Sequence, residues 1–250
     1  APMLFIGEKI GTKNGDELDI AVDPLEGTNF TAKNLPNAIS VLAATPKGGL
    51  LSAPDTYMEK IAIGSGFTKN LLDLDNTVEK NIKLIAEAKN SKPENLTVCV
   101  LKRSRHEKII GALKSMNVKI KFIEDGDVTG VIAVADPSTS IDIYLGTGGA
   151  PEGVLSAAAL NCLGGQMQTR LVLNGADELQ RAKKLGISDF NKKYEMEDMI
   201  KGDVIFCASG VTSGDMLKGV IDKGDSFEVN SFVTHKSQNI TKKITNILIK

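Results

Sequence analysis

Apolar residues recur along this chain with two different periods, and each change of period marks a structural element. Over residues 12–50 the rhythm is that of β structure. Asn14-Gly15 marks a turn, residues 18–22 alternate toward the segment DPLEGT, where that strand is expected to end, and residues 38–44 form a second apolar run. The segment NTVEKNIKLIAEAKN, residues 76–90, instead sets Val78, Ile82, Ile85 and Ala86 on one face of a 3.6-residue period. A helix is predicted there, with Asn76 as its N-cap and Glu79 completing a capping box.

From residue 93 the order becomes strand (96–101), helix (107–116), strand (118–123) and a further apolar stretch at 128–135, the alternation of βαβ units. Residues 141–145 read as a strand that runs into GTGGAPEG and a helix of small residues, 153–163, closed by Gly164-Gly165. One more strand is expected at 204–208, ahead of SGVTSGDMLKGV. The sum is an α/β chain without internal repeats. Asn, Ser, Lys and Pro cluster near residues 90–96 and mark a seam between residues 1–92 and 93–250.

Thirty basic against 31 acidic side chains leave a formal charge of -1, so no overall positive field gathers nucleic acid or an anionic membrane. An anionic substrate has to be caught locally. Cys99, Cys162 and Cys207 lie in apolar runs without metal-type spacing and read as free thiols of a reducing compartment. No apolar stretch approaches the ~20 residues needed to span a bilayer. The chain reads as cytosolic.

Four segments carry candidate chemistry. In DIAVDPLEGTN, Asp23 and Glu26 can converge on a hard cation, which takes oxygen ligands, and the Thr28 hydroxyl can orient or deprotonate a water beside it. In LGTGGAPEG, four glycines between a strand and a helix suggest a phosphate cradle of free backbone N–H groups, with Glu152 in the first helical turn. Lys102, Arg103 and Arg105 follow a strand, where guanidinium forks can hold a phosphate. Asp125-Gly126-Asp127 ends another, where acidic side chains can accept from sugar hydroxyls. His106 reads as a packed residue at a helix start and His235 as an exposed residue of the tail; neither fits a triad.

DPLEGT resembles the DP(L/I)(D/E)GT signature of the lithium-sensitive, metal-dependent phosphatases, and with the other motifs the chain is most similar to class II fructose-1,6-bisphosphatase, from APMLFIGEKIG through CASGVTSGDMLKGV. That resemblance implies a layered αβαβα sandwich and hydrolysis of the 1-phosphate of fructose 1,6-bisphosphate in gluconeogenesis. It implies Mn²⁺ or Mg²⁺ as cofactor, held by Asp23, Glu26 and Glu152, with Thr28 catalytic. It also implies substrate contacts from Glu26, Gly27, Thr28, Tyr57, Arg103, Ser104, Arg105, Asp125, Gly126, Asp127 and Gly149. The family's usual R-P-R is Arg103-Ser104-Arg105 in this chain.

A homo-oligomer is also implied. Sedoheptulose 1,7-bisphosphate is the alternative substrate, and a non-catalytic sugar-phosphate-binding paralogue is the alternative of a different class. In the family, a segment preceding APML supplies further metal ligands. The 250 residues alone are therefore expected to fold at least partly, to hold metal weakly and to hydrolyse almost nothing.

Overall fold

The computed structural model describes residues 6–250; residues 1–5, the opening of APMLFIGEKIG, lie outside it. In chain order the first elements are β1 (Leu18–Glu26), α1 (Thr28–Ala32), β2 (Ile39–Pro46) and β3 (Tyr57–Ile63). Next come α2 (Val78–Ala88), β4 (Thr97–Leu101), α3 (Glu107–Ser115), β5 (Lys119–Ile123) and α4 (Asp127–Ile132). They lead to β6 (Ile143–Gly149), α5 (Ala150–Leu163), β7 (Gln166–Val172), α6 (Ala176–Lys184), β8 (Lys193–Tyr194) and α7 (Met196–Met199). The chain closes with β9 (Ile205–Gly210), β10 (Ile221–Asp222), β11 (Ser226–His235) and β12 (Ile240–Ile249).

The strands form two sheets. The first, in the order β1-β2-β9-β11-β10 with β12 on the other edge of β11, is antiparallel throughout. The second runs β5-β4-β6-β3-β7-β8, with β4 parallel to β5 and β6. Between them lies α5, whose sequence APEGVLSAAALNCL is apolar on every side. Such a helix has to be buried all round. Its alanines pack against Val41, Ala43 and Phe206 of the first sheet and Met58, Ala62 and Met167 of the second, in one core that α4 joins through Val128 and Val131. The other face of the second sheet is covered by α2 and α3, where Ile82, Ile85 and Leu113 meet Ile61, Ile63, Val98 and Leu145. The described residues thus stack as sheet, helices, sheet, helices.

Several expectations are corrected. The strand expected to end at Val22 continues through Glu26, because Asp23 and Glu26 remain paired to β2. The helix at 76–90 forms, but Thr77 caps it, accepting from the Lys80 N–H at 3.2 Å, while the Asn76 amide donates to Asn81. The apolar stretch 128–135 is helical, because α4 lays it against α5. The tail is a long hairpin, β11 with β12. There His235 is not solvent-exposed: its Nε2 lies 2.7 Å from Asp203 Oδ2, tying the end of β11 to the start of β9. The second sheet draws β3 from before residue 92 and its other strands from beyond it, so hydrogen bonds span the expected seam.

Ile85→Ala, which empties a fully buried position under α2, is expected to lower stability by about 2–5 kcal/mol in urea unfolding, whereas Ile247→Ala on exposed β12 changes it by less than about 0.5 kcal/mol. Equal losses would contradict this account of the layers.

Candidate active site

DPLEGT acquires its geometry from a break in a ladder. In an unbroken strand, residues three apart project to opposite faces. Here Asp23 pairs with Val41 and Glu26 with Ile39, so two residues of β1, Pro24 and Leu25, stand opposite Ser40 alone. This one-residue bulge returns both carboxylates to the same face, and proline, with no N–H to give a ladder, suits it. The Leu25 N–H closes the bulge by donating to Asp23 Oδ1 at 3.0 Å. Gly27 then turns the chain into α1 at φ 82°, a left-handed conformation that side chains resist, and sets Thr28 as the exposed first residue of that helix.

Glu152 arrives from the other side, in the first turn of α5. One oxygen each from Asp23, Glu26 and Glu152 lie within 4.8 Å of one another. Among the described residues the three donors of this group are all oxygens, the set that suits a hard divalent cation. The electrostatics agree with a site that wants positive charge. Burial, then the nearby charge of Asp127, pushes Glu26 up to about 9, against the Val128 N–H that donates to its Oε1 at 3.1 Å. Burial likewise raises Glu152, opposed by the ammonium of Lys60. A cation among these groups would favour their charged forms.

The glycines of LGTGGAPEG do something other than expected. β6 carries them as a paired strand, Gly146 opposite Lys60 through Gly149 opposite Tyr57, and the Thr147 N–H donates to His106 Nε2 at 2.8 Å. The pairing with β3 and the bond to His106 thus take up backbone groups in the strand part of the motif, while Gly153 lies in α5. Missing side chains are what the site uses. A Cβ on Gly148 would lie 1.9 Å from Asp127 Oδ2, and one on Gly149 1.9 Å from Glu152 Oε2.

The basic and acidic loops meet beside this centre. Arg105 donates through Nε and Nη2 to the Thr147 carbonyl at 3.0 and 2.8 Å and lies 4.8 Å above the ring of half-exposed Tyr57. Arg103 Nη2 is 3.6 Å from Asp125 Oδ1, and Asp125 Oδ2 accepts from the backbone and side chain of Asn29, the neighbour of Thr28. Ser104 is exposed in the short turn between the arginines. Gly126, at φ 73°, starts α4 with Asp127, whose Oδ2 lies 2.5 Å from the buried ammonium of Lys60. His106 is packed, as expected. Its Nδ1–H donates to the Leu101 carbonyl at 2.7 Å, and burial holds it below its usual pKa.

Lys60 went unread in the sequence, although a lysine between Met58 and Ala62, on the buried face of an apolar strand, is a signal of a buried partner.

Residues 1–248 match the family of bacterial fructose-1,6-bisphosphatases encoded by glpX. The chain is 40% identical over 261 residues to the class 2 fructose-1,6-bisphosphatase of Haemophilus influenzae, covering 99% of this chain and 78% of that protein. It belongs to this family. A second relative, fructose-1,6-bisphosphatase 1 class 2 of Escherichia coli strain K12, is also 40% identical, with 99% and 77% covered. A third, the D-fructose 1,6-bisphosphatase class 2/sedoheptulose 1,7-bisphosphatase of Synechococcus, is 38% identical, with 100% and 79% covered. Family membership makes the chain a phosphatase of the hydrolase class, in agreement with its α/β fold of two sheets and its acidic cluster.

Because Glu26 sits up at about 9, it carries a proton at neutral pH that a cation must displace. Mn²⁺ affinity is expected to rise between pH 6.5 and 8.5, by up to ~10-fold per pH unit, with proton release on binding. Calorimetric titration at the two pH values checks this, and a flat affinity would contradict it. Gly149→Ala, which forces the Glu152 carboxylate aside, should weaken the same binding at least ~10-fold while the thermal midpoint stays within a few degrees.

Proposed function

We propose that this chain acts on fructose 1,6-bisphosphate, releasing the 1-phosphate and leaving fructose 6-phosphate. The observation that carries this reading is the convergence of Asp23, Glu26 and Glu152 next to the start of α1, in a chain of the glpX-encoded family. These three residues would hold Mg²⁺ or Mn²⁺, which when bound supplies Lewis acidity toward phosphoryl oxygens and offsets the negative charge of substrate and site.

The chain's own groups do the rest. Thr28, two residues past Glu26 and exposed at the first position of α1, orients the attacking water with its hydroxyl. Attack at phosphorus breaks the bond to the sugar oxygen, giving inorganic phosphate and a free sugar hydroxyl. Arg105 is held by the Thr147 carbonyl and the Tyr57 ring, which leaves its remaining nitrogen, Nη1, for the distal phosphate, with Arg103 and Ser104 alongside. Asp125, Gly126 and Asp127 face the sugar hydroxyls, and Gly27, Tyr57 and Gly149 line the substrate's other sides. Preset arginine forks lose little freedom on binding.

The reading extends to a homo-oligomer, supported by Ile20, Ile205 and Ile244, which the first sheet leaves exposed on its outer face. It extends also to the cytoplasm, supported by the three free cysteines. No helix among the described residues is long and apolar enough to cross a membrane.

In the chain extended by the segment that precedes APML in the family, Thr28→Ala is expected to lower kcat at least ~100-fold with little change in substrate affinity, since its hydroxyl acts in the reaction step. Wild-type kcat in that variant would remove Thr28 from the mechanism. Arg105→Ala should raise KM for fructose 1,6-bisphosphate about 10- to 100-fold and that for a sugar 1-monophosphate far less. Phosphate-release assays on both substrates separate these outcomes.

A further inference from the structure

Lys60 is a fully buried charge, 1% exposed, on the face of β3 that looks toward α4 and α5. Among the described residues its ammonium has one hydrogen-bond partner, Asp127 Oδ2 at 2.5 Å. The sequence makes room for it. A Cβ on Gly148 would stand 3.2 Å from Lys60 Nζ and 1.9 Å from Asp127 Oδ2, and one on Gly153 would stand 3.2 Å from Lys60 Cε. Burying an ion pair is weak support for stability, because apolar side chains of the same volume serve as well or better. The pair has to be explained by what it touches.

Asp127 opens α4, and the next residue, Val128, gives its N–H to Glu26 Oε1 at 3.1 Å. One rigid turn therefore connects the ammonium to the cation-seeking carboxylates. With Oδ2 held from beneath, Asp127 Oδ1 has no hydrogen-bond partner among the described residues. The fixed positive charge also stands beside a cluster of Asp23, Glu26, Asp127 and Glu152, four carboxylates whose repulsion it reduces.

We propose that Lys60 is a positioning residue for the hydrolysis: it fixes Asp127 from beneath so that Oδ1 faces the sugar, and its charge sets how strongly the acidic cluster attracts a cation. This rests on the reading of Asp127 as a substrate contact. Lys60→Met keeps the length and the apolar stem while removing the charge. Two opposite changes are expected. KM for fructose 1,6-bisphosphate rises at least ~10-fold, because Asp127 loses its anchor, whereas Mn²⁺ binds several-fold tighter, because the cluster loses a repelling charge. The double variant Lys60→Met/Asp127→Asn should recover the thermal midpoint lost by the single one and keep the raised KM.

Unchanged KM and Mn²⁺ affinity in Lys60→Met would overturn the proposal. So would a loss of both that recovers together in the double variant, the mark of a purely structural pair. Should Lys60→Met fail to fold, Gly148→Ala moves Asp127 off the ammonium with both charges kept. KM is then expected to rise at constant Mn²⁺ affinity, and an unchanged KM would overturn the proposal. KM is read in the chain extended by the segment that precedes APML in the family; if that wild-type chain released no phosphate from the bisphosphate, the proposed function itself would be overturned, while the Mn²⁺ titrations would still test the charge of Lys60.

Discussion

Asp23, Glu26 and Glu152 bring carboxylate oxygens within 4.8 Å of one another in a largely buried place, and that repulsion is the constraint on which the site is built. Left alone, such groups hold protons, and Glu26 does so up to about 9. The fold offsets part of the cost with the Val128 N–H and part with the ammonium of Lys60. The remainder is what a divalent cation would supply, so that ion binding and substrate binding draw on one electrostatic debt of the folded chain.

The two sheets divide this task. The first delivers Asp23 and Glu26 from an edge strand, where a bulge and a proline are tolerated because, among the described residues, no strand pairs with the far side of β1. The second delivers Lys60 and Tyr57 from its centre, where β6 and β7 fix β3 on both sides, and with them the glycines of β6 paired to β3. Helix α5 joins them, carrying Glu152 at its first turn while its apolar body is gripped by both sheets. A site held from three rigid directions can keep like charges together.

Much of this was legible in residue order. Helix α2 showed in its 3.6-residue spacing, β2 and β4 in their apolar runs, and the conjunction of DPLEGT, R-S-R, D-G-D and GGAPEG pointed to the family. What was hidden is tertiary. Nothing in DPLEGT announces that a bulge places Asp23 and Glu26 on one face, because that depends on the register with β2. The glycines of β6 looked like a turn because a lack of side chains reads the same whether the backbone must bend or a neighbour must come close. Lys60 looked like one more polar position in a strand, since its partner lies 67 residues away on α4. The hairpin of β11 and β12 was passed over as a tail because its outer positions, such as Lys242 and Asn246, interrupt the apolar alternation on an exposed edge.

Crystals grown with Mn²⁺ and recorded at a wavelength where manganese scatters anomalously would test the central claim most directly. The account predicts an anomalous peak about 2.0–2.4 Å from an oxygen of each of Asp23, Glu26 and Glu152. A peak held by other residues, or none at saturating Mn²⁺ and alkaline pH, would contradict it.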